Sequence, residues 1–233
     1  MNHDSANKHN IYLEVGSRRT IAGALDWPGW CRLGRDEDSA LQALFDYSPR
    51  YARILRPARL GFLKPDAVSA FAVVERLTGN ATTDYGVPIR APTSDAQLLD
   101  DTELRRLQAI LKACWRAFDA AVEMAEGKAL RTGPRGGGRT LDKIVEHVLG
   151  AAGQSYLTSL GGKAPQSKSA ALSPEPIRQA ILDTLKASAH GEIAEYGPRG
   201  GRRWSPRYFV RREAWHVLDH VWEIEDRLKA ASE

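Results

Sequence analysis

Two histidines near the C-terminal end, His216 and His220, are separated by four residues. In a helix this spacing places both imidazoles on one face, one turn apart, where they can bind a single metal ion. A third histidine, His147, lies in the middle of an earlier segment with helical periodicity. The three side chains predict a site for a divalent metal, with zinc or nickel as the expected ions. Three protein ligands leave one coordination position open, which is typical of catalytic sites.

Three acidic residues, Glu213, Asp219 and Glu223, lie near the histidines in the sequence, and Glu213 is the candidate that could share their chemistry. Glu213 lies about one turn before His216, on much the same face of a helix. A carboxylate at this place is a candidate catalytic group, acting as a general base or orienting a ligand. The alternative interpretation is a surface ion pair with a neighbouring arginine, which has no catalytic meaning. Tyr156 is a candidate wall of the same cavity, or else an ordinary core tyrosine.

Four amphipathic segments must position these residues. Their apolar positions recur at helical spacing, over 102–127, 140–160, 173–189 and 205–231. The last two open with Ser-Pro, a helix cap followed by proline in the first turn. Four such helices predict a four-helix bundle over residues 100–233. The long polar link at 161–172 can run the length of a bundle, which favours an up-down-down-up order.

A Gly-Pro-Arg-Gly-Gly motif occurs twice, at 133–139 and 197–203, just before each histidine-bearing segment. In the first copy, Arg135 and Arg139 are candidate contacts for an anion, beside glycine N–H groups and a helix N-terminus. The predicted topology places the two copies at opposite ends of the bundle. We therefore expect them not to form one pocket, and at least one copy to be a flexible turn.

The first part of the chain predicts a different architecture. Residues 1–10 are polar and are expected to be a disordered lead. Residues 11–92 contain three short β-prone runs, a helix that ends near Leu55, a further strand over 70–78 and a loop-like linker. The fold class predicted for the whole chain is therefore a small α+β domain followed by an all-α bundle.

Composition narrows the possible functions. The formal charge of +4 is modest, and basic and aromatic residues are not interleaved as in a stacking surface, so nucleic acid is not an expected partner. The two cysteines have no metal-ligand or redox spacing. No apolar run approaches the length that spans a membrane, and we expect a cytoplasmic protein. The oligomeric state stays open.

The helical part resembles the DinB-like superfamily, including the YfiT-like and maleylpyruvate-isomerase-like bundles. The resemblance covers about residues 100–233. It rests on Val-Glu-His-Val-Leu at 145–149 and on Ala-Trp-His-Val-Leu-Asp-His-Val-Trp-Glu at 214–223. Members commonly bind a divalent metal through such a histidine triad, which here would be His147, His216 and His220.

The same resemblance implies a class of reaction. Characterised members are thiol-dependent transferases or isomerases that use low-molecular-weight thiols such as mycothiol or bacillithiol. A metal-dependent thiol transferase or isomerase acting on a small molecule is therefore one expected function. Metal-assisted hydrolysis is the nearest chemical alternative, since a bound metal can activate water as well as a thiol.

The N-terminal part resembles the small HicB-like antitoxin domain. The resemblance covers about fifty residues and rests on Leu-Asp-Trp-Pro-Gly-Trp at 25–30 and on the helix start at 37–44. It implies a fold and a protein partner, but no activity, and no helix-turn-helix accompanies it. A non-enzymatic interaction or scaffold protein is therefore the competing class of function.

Overall fold

The computed structural model describes residues 8–132, 138–165 and 173–229. The chain divides into two compact units, Met1–Gln97 and Leu98–Glu233. The first unit contains a four-stranded sheet and short helices, and the second is mostly helical. The α+β class predicted from the sequence is therefore observed at this level.

The sheet of the first unit has four strands in the order β3-β2-β1-β4. The strands are β1 His9–Val15, β2 Thr20–Ala24, β3 Cys31–Gly34 and β4 Phe71–Thr78. The first three form an antiparallel meander, whereas β4 pairs with β1 in parallel. Parallel neighbours need a long crossover, which the helical segment between β3 and β4 provides.

Three helices accompany the sheet: α1 Glu37–Asp46, α2 Ser48–Leu55 and α3 Ala81–Asp84. The sequence predicted α1 and α2 as one helix, but they are separate and meet at Tyr47. Pro49 lies in the first turn of α2, where its missing N–H costs nothing, whereas a continuous helix would lose a hydrogen bond there. Strand β1 includes His9 and Asn10, which the sequence assigned to the polar lead, while residues 1–7 lie outside the described part of the chain.

Both faces of β1 are buried, so the central strand must satisfy its polar side chain internally. Glu14 is 0% exposed. Its carboxylate accepts hydrogen bonds from the Thr83 hydroxyl at 2.5 Å and from the backbone N–H groups of Ile89 and Arg90, both at 3.0 Å. A buried carboxylate with several donors has a structural role, because those donors would otherwise lack a hydrogen-bond partner.

The second unit contains five helices among the described residues. They are α4 Asp101–Ala125, α5 Leu141–Gly150, α6 Leu157–Leu160, α7 Pro174–Ala189 and α8 Pro206–Lys229. Asp100 caps α4 and Thr140 caps α5, each by accepting backbone N–H groups of the first turn. Helix α8 packs along α4 and also contacts α5 and α7. None of the described helices combines the length and the apolar character needed to span a membrane.

The second predicted helix is not regular. Helices α5 and α6 are joined by a π-helical segment, Ala151–Tyr156. Gly153 lies within it, and a Cβ there would be 3.4 Å from the Ile177 side chain, so α7 approaches this segment closely. Such π segments are rare in general and frequently occur at functional sites. This one begins one helical turn after His147.

Candidate metal centre

Helices α5 and α8 bring the three histidines together. His147 projects from α5, and His216 and His220 from α8. Ile144 and Val148 on α5 are buried, which fixes the face that this helix turns inward. His216 and His220 are 6% and 7% exposed, whereas His147 is half-buried at the edge of the cluster. The site therefore has a buried floor and an accessible side.

The geometry of the cluster is close to that of a three-histidine metal site. Each histidine offers one ring nitrogen, and these ligand atoms all lie within 4.8 Å of one another. The Nε2 atoms of His147 and His216 are 3.0 Å apart. Nitrogens bound to one tetrahedral zinc ion lie about 3.3 Å apart, given Zn–N distances of about 2.0–2.1 Å. Small side-chain adjustments would therefore let all three bind one ion.

A carboxylate on α8 orients His220. The Nδ1 atom of His220 donates to Glu223 Oε2 at 2.8 Å. With its proton on Nδ1, the imidazole has the lone pair of Nε2 available for a metal. The hydrogen bond with His220 is the largest cause of the lowered pKa of Glu223. Metal-binding histidines in proteins commonly donate their second ring nitrogen to such a carboxylate.

Arg227 connects the Glu223 carboxylate to the segment before α5. Arg227 Nη1 donates to Glu223 Oε1 at 2.9 Å. The same guanidinium donates to the carbonyls of Arg131 and Arg139, at 2.8 and 2.9 Å. The hydrogen bonds form a chain from the connection between α4 and α5, through Arg227 and Glu223, to His220.

Burial and neighbouring charges keep His147 and His216 neutral. Burial is the largest cause that lowers the pKa of His216, to about 2, and the charges of His220, His147, Arg212 and Arg139 lower it further. The pKa of His147 is lowered by burial first and then by Arg139 and His220. Neutral imidazole is the form that binds metals, so these two ligands do not need to lose protons before binding near neutral pH.

An aromatic group borders His216 on its accessible side. The rings of Tyr156 and His216 have centroids 5.4 Å apart, and Trp204 lies 5.3 Å from Tyr156. The guanidinium of Arg212 lies over Trp215 at 4.8 Å and donates to the Tyr156 hydroxyl at 3.3 Å. Tyr156 therefore lines the site, as one of the two interpretations of the sequence proposed.

Glu213 lies in the interior rather than in a surface ion pair. It is 1% exposed, and its Oε1 accepts a hydrogen bond from Trp115 Nε1 of α4 at 3.2 Å. Its Oε2 is buried and has no hydrogen-bond partner among the described residues. Burial raises the pKa of Glu213 to about 7. The carboxyl lines a small cavity together with Arg178, Val148 and Val217.

The two glycine-rich copies differ in their relation to the site. Arg139 is exposed, and its charge acts on His147 and His216, so the first copy lies near the triad. Arg135 lies outside the described residues. In the second copy, Gly197 donates to the Gly201 carbonyl at 2.8 Å, which closes a tight turn.

Sequence reasoning named Glu223 only as a neighbour of the triad and missed Arg227 and Arg212. Helical spacing could have indicated both Glu223 and Arg227, since Glu223 follows His220 by three residues and Arg227 follows Glu223 by four. These spacings place the three on one helical face. Arg212 had no comparable signal, because its aromatic neighbours come partly from distant parts of the chain.

The comparisons with known proteins are negative. No protein-family model, no curated protein and no solved structure matches this chain. The three-histidine cluster and its hydrogen-bonded support are thus the direct evidence on function, and they describe a site that could hold one metal ion.

Proposed function

We propose that the chain is a metalloprotein that binds one divalent ion, zinc or nickel, through His147, His216 and His220. The observation that carries the proposal is the convergence of three ligand nitrogens from two helices within 4.8 Å. The hydrogen bond from His220 to Glu223 supports it, because a proton held on Nδ1 leaves the lone pair of Nε2 available for the metal. The helical unit would be a DinB-like four-helix bundle with up-down-down-up order, built from α4, the α5–α6 segment, α7 and α8.

We propose that this site performs chemistry on a small molecule. Three ligands and an accessible side leave a coordination position for a substrate, water or thiol. A bound divalent ion would act there as a Lewis acid and lower the pKa of a bound water or thiol. The resemblance to the DinB-like superfamily favours a transferase or isomerase that uses a low-molecular-weight thiol. Metal-assisted hydrolysis is the alternative.

Glu213 is the candidate proton acceptor in this proposal. A general base works best with a pKa near the operating pH, and burial brings the pKa of Glu213 to about 7. Burial raises the pKa of Tyr156, whose ring borders that of His216, and Glu213 also contributes to this raised pKa. Arg139, exposed beside the triad, is the candidate anion contact at the accessible side.

Elemental analysis of the purified protein tests the metal proposal. We expect about one zinc or nickel per chain, lost in His216→Ala because two imidazoles hold the ion far more weakly than three. His190→Ala is the matched control, since His190 is exposed and contacts Asp101 at the end of α7. A wild-type protein that stays metal-free when dialysed against zinc and nickel would contradict the proposal and favour the scaffold function.

A thiol titration separates the two chemical alternatives. Cobalt-substituted protein would be titrated with N-acetylcysteine while its visible absorption is recorded. A thiol transferase or isomerase should develop a sulfur-to-metal charge-transfer band, and His216→Ala should not. Absence of the band at millimolar thiol would exclude the thiol-dependent reaction and leave hydrolysis.

A further inference from the structure

Arg227, near the end of α8, is held more firmly than the arginine of a surface ion pair. Its side chain is 13% exposed, and that of its partner Glu223 is 29% exposed. A glutamate and an arginine four residues apart on a helix usually form a solvated pair that contributes little to stability. Here the guanidinium also donates to the backbone carbonyls of Arg131 and Arg139. Three acceptors therefore fix its position.

Arg227 binds both ends of the connection between α4 and α5. At the first end, its Nε donates to the Arg131 carbonyl at 2.8 Å, and the Arg131 N–H donates to the Arg227 carbonyl at 3.2 Å. At the second end, its Nη1 donates at 2.9 Å to the carbonyl of Arg139, which lies just before the cap of α5. A Cβ at Gly138 would be only 2.8 Å from Arg227 Nη2, so the backbone of the connection lies directly against the guanidinium.

The same guanidinium determines the orientation of Glu223. Oε1 of Glu223 accepts from Arg227 Nη1 at 2.9 Å, and Oε2 accepts from His220 Nδ1 at 2.8 Å. A carboxylate bound at one oxygen can rotate about its last bond, whereas one bound at both oxygens has a single orientation. Glu223 in turn holds the proton of His220 on Nδ1, which leaves the lone pair of Nε2 for a metal. The position of Arg227 therefore bears on the orientation of a ligand that it does not contact.

We propose that Arg227 is a positioning residue of the metal centre, which couples occupation of the triad to anchoring of the connection between α4 and α5. The inference rests on the proposed metal function and names a way in which that site is regulated. Any change that draws the connection away from Arg227 loosens the hold of Glu223 on His220, and so weakens metal binding. Coupling between two sites is reciprocal, so the bound metal also holds the connection more firmly.

Zinc affinity, measured by competition with a chromophoric chelator, is the first test. We expect Arg227→Gln to weaken zinc binding about 3- to 10-fold, less than the loss of a direct partner of a ligand. Arg227→Lys keeps the charge but lacks the planar fork, and should weaken zinc about 2- to 5-fold; it decides the matter if Arg227→Gln does not fold. Arg76→Gln is the matched control, because it removes an exposed arginine–glutamate pair in the other unit, and should leave zinc affinity unchanged.

A double-mutant cycle separates positioning from a general effect on the fold. In the Glu223→Gln background the carboxylate that transmits the effect is gone, so Arg227→Gln should weaken zinc by less than about 2-fold further. An arginine that only stabilises the fold would have the same effect in both backgrounds. Full additivity of the two substitutions would therefore overturn the proposal.

Hydrogen exchange at the Arg131 amide tests the reciprocal effect. This N–H is bonded to the Arg227 carbonyl, so its exchange rate reports whether the connection is anchored. Zinc should slow its exchange at least about 3-fold in the wild type, and less than about 1.5-fold in Glu223→Gln at saturating zinc. The Gly197 amide, bonded to the Gly201 carbonyl, is the internal control and should not respond. Equal exchange at Arg131 with and without zinc in the wild type would contradict the coupling.

Zinc content, measured on every sample, separates this proposal from the metal function. A wild type that takes up no zinc refutes the metal function, and the coupling is refuted with it. A wild type that binds one zinc per chain, together with wild-type affinity in both Arg227→Gln and Arg227→Lys, supports the metal function and overturns only the positioning role.

Discussion

Two glutamates, one in each unit, are almost completely buried but differ in how many hydrogen-bond donors surround their carboxylates. Glu14 is 0% exposed and receives donors from Thr83, Ile89 and Arg90. Glu213 is 1% exposed, receives one donor from Trp115, and has a second oxygen without a hydrogen-bond partner among the described residues. The first carboxylate holds the N-terminal sheet to the segment that follows it. The second costs stability in the helical unit.

The difference separates structural from functional burial. A fold gains by burying a carboxylate only where several donors replace water, as around Glu14. A buried carboxyl that lacks them lowers stability, and such positions are candidates for function because natural sequences tolerate local cost there. Glu213 lies on the same helix as two of the three histidines, which agrees with this view.

The same substitution at both positions should therefore have opposite effects, and the largest is expected at Glu14. Glu14→Gln loses charge-assisted bonds, each worth about 1.5–3 kcal/mol, and turns an amide N–H toward a donor. We expect the free energy of unfolding at pH 7 to fall by about 3–4 kcal/mol, measured by urea denaturation.

Glu75 supplies the matched control in the same unit. Its carboxylate also accepts hydrogen bonds, from the N–H and the hydroxyl of Thr93, but the residue is only half-buried. Glu75→Gln should cost less than about 1 kcal/mol, since water replaces the lost bonds. If Glu14→Gln costs no more than Glu75→Gln, the structural role of Glu14 is wrong.

Glu213→Gln is the second prediction, and its sign depends on pH. The pKa of Glu213 is raised from 4.5 to about 7, so the native state holds its proton more tightly than the unfolded state. Its contribution to stability is present below pH 4.5 and is lost as pH rises to about 7, by about 3 kcal/mol in total. The glutamine variant has no such loss.

Unfolding of metal-free wild-type and Glu213→Gln protein should be compared from pH 4.5 to pH 8. The stability of the variant minus that of the wild type should rise by about 3 kcal/mol over this range. Taking the difference between the two proteins isolates the contribution of Glu213. A difference that stays constant with pH would show that the carboxyl is solvated or paired, and would remove the contrast with Glu14.

Glu223 gives a third and smaller test, because it supports a ligand rather than the fold. Glu223→Gln keeps the shape but weakens the hold on the Nδ1 proton of His220. Loss of such an outer partner typically lowers metal affinity 10- to 100-fold. Competition with a zinc chelator would measure this, with Glu225→Gln as a control. Unchanged affinity would remove Glu223 from the site.

The sequence could predict whatever depends on spacing within one element. The pairing of His216 with His220 follows from helical periodicity, and His147 was predicted to face them because it lies in the middle of a helix with apolar neighbours. The strands and the Ser-Pro helix starts were readable for the same reason, since caps and alternation are local signals.

Features that depend on contacts between distant segments could not be predicted. The residues of 151–156 fit a regular helix by pattern, and the π-helical geometry occurs where α7 packs against Gly153. Glu213 was predicted near the triad from its spacing, but its bond to Trp115 joins residues 98 positions apart. The aromatic contacts of Arg212, a residue of α8, likewise come from Tyr156 and Trp204, which lie outside that helix.

X-ray absorption spectroscopy of the zinc-loaded protein tests the three-histidine site directly, because it counts and identifies the ligands of the metal. We expect three imidazole nitrogens at about 2.0–2.1 Å and one further light atom, with one imidazole missing in His147→Ala. Sulfur scattering at about 2.3 Å in the absence of added thiol, or zinc without imidazole ligands, would contradict it.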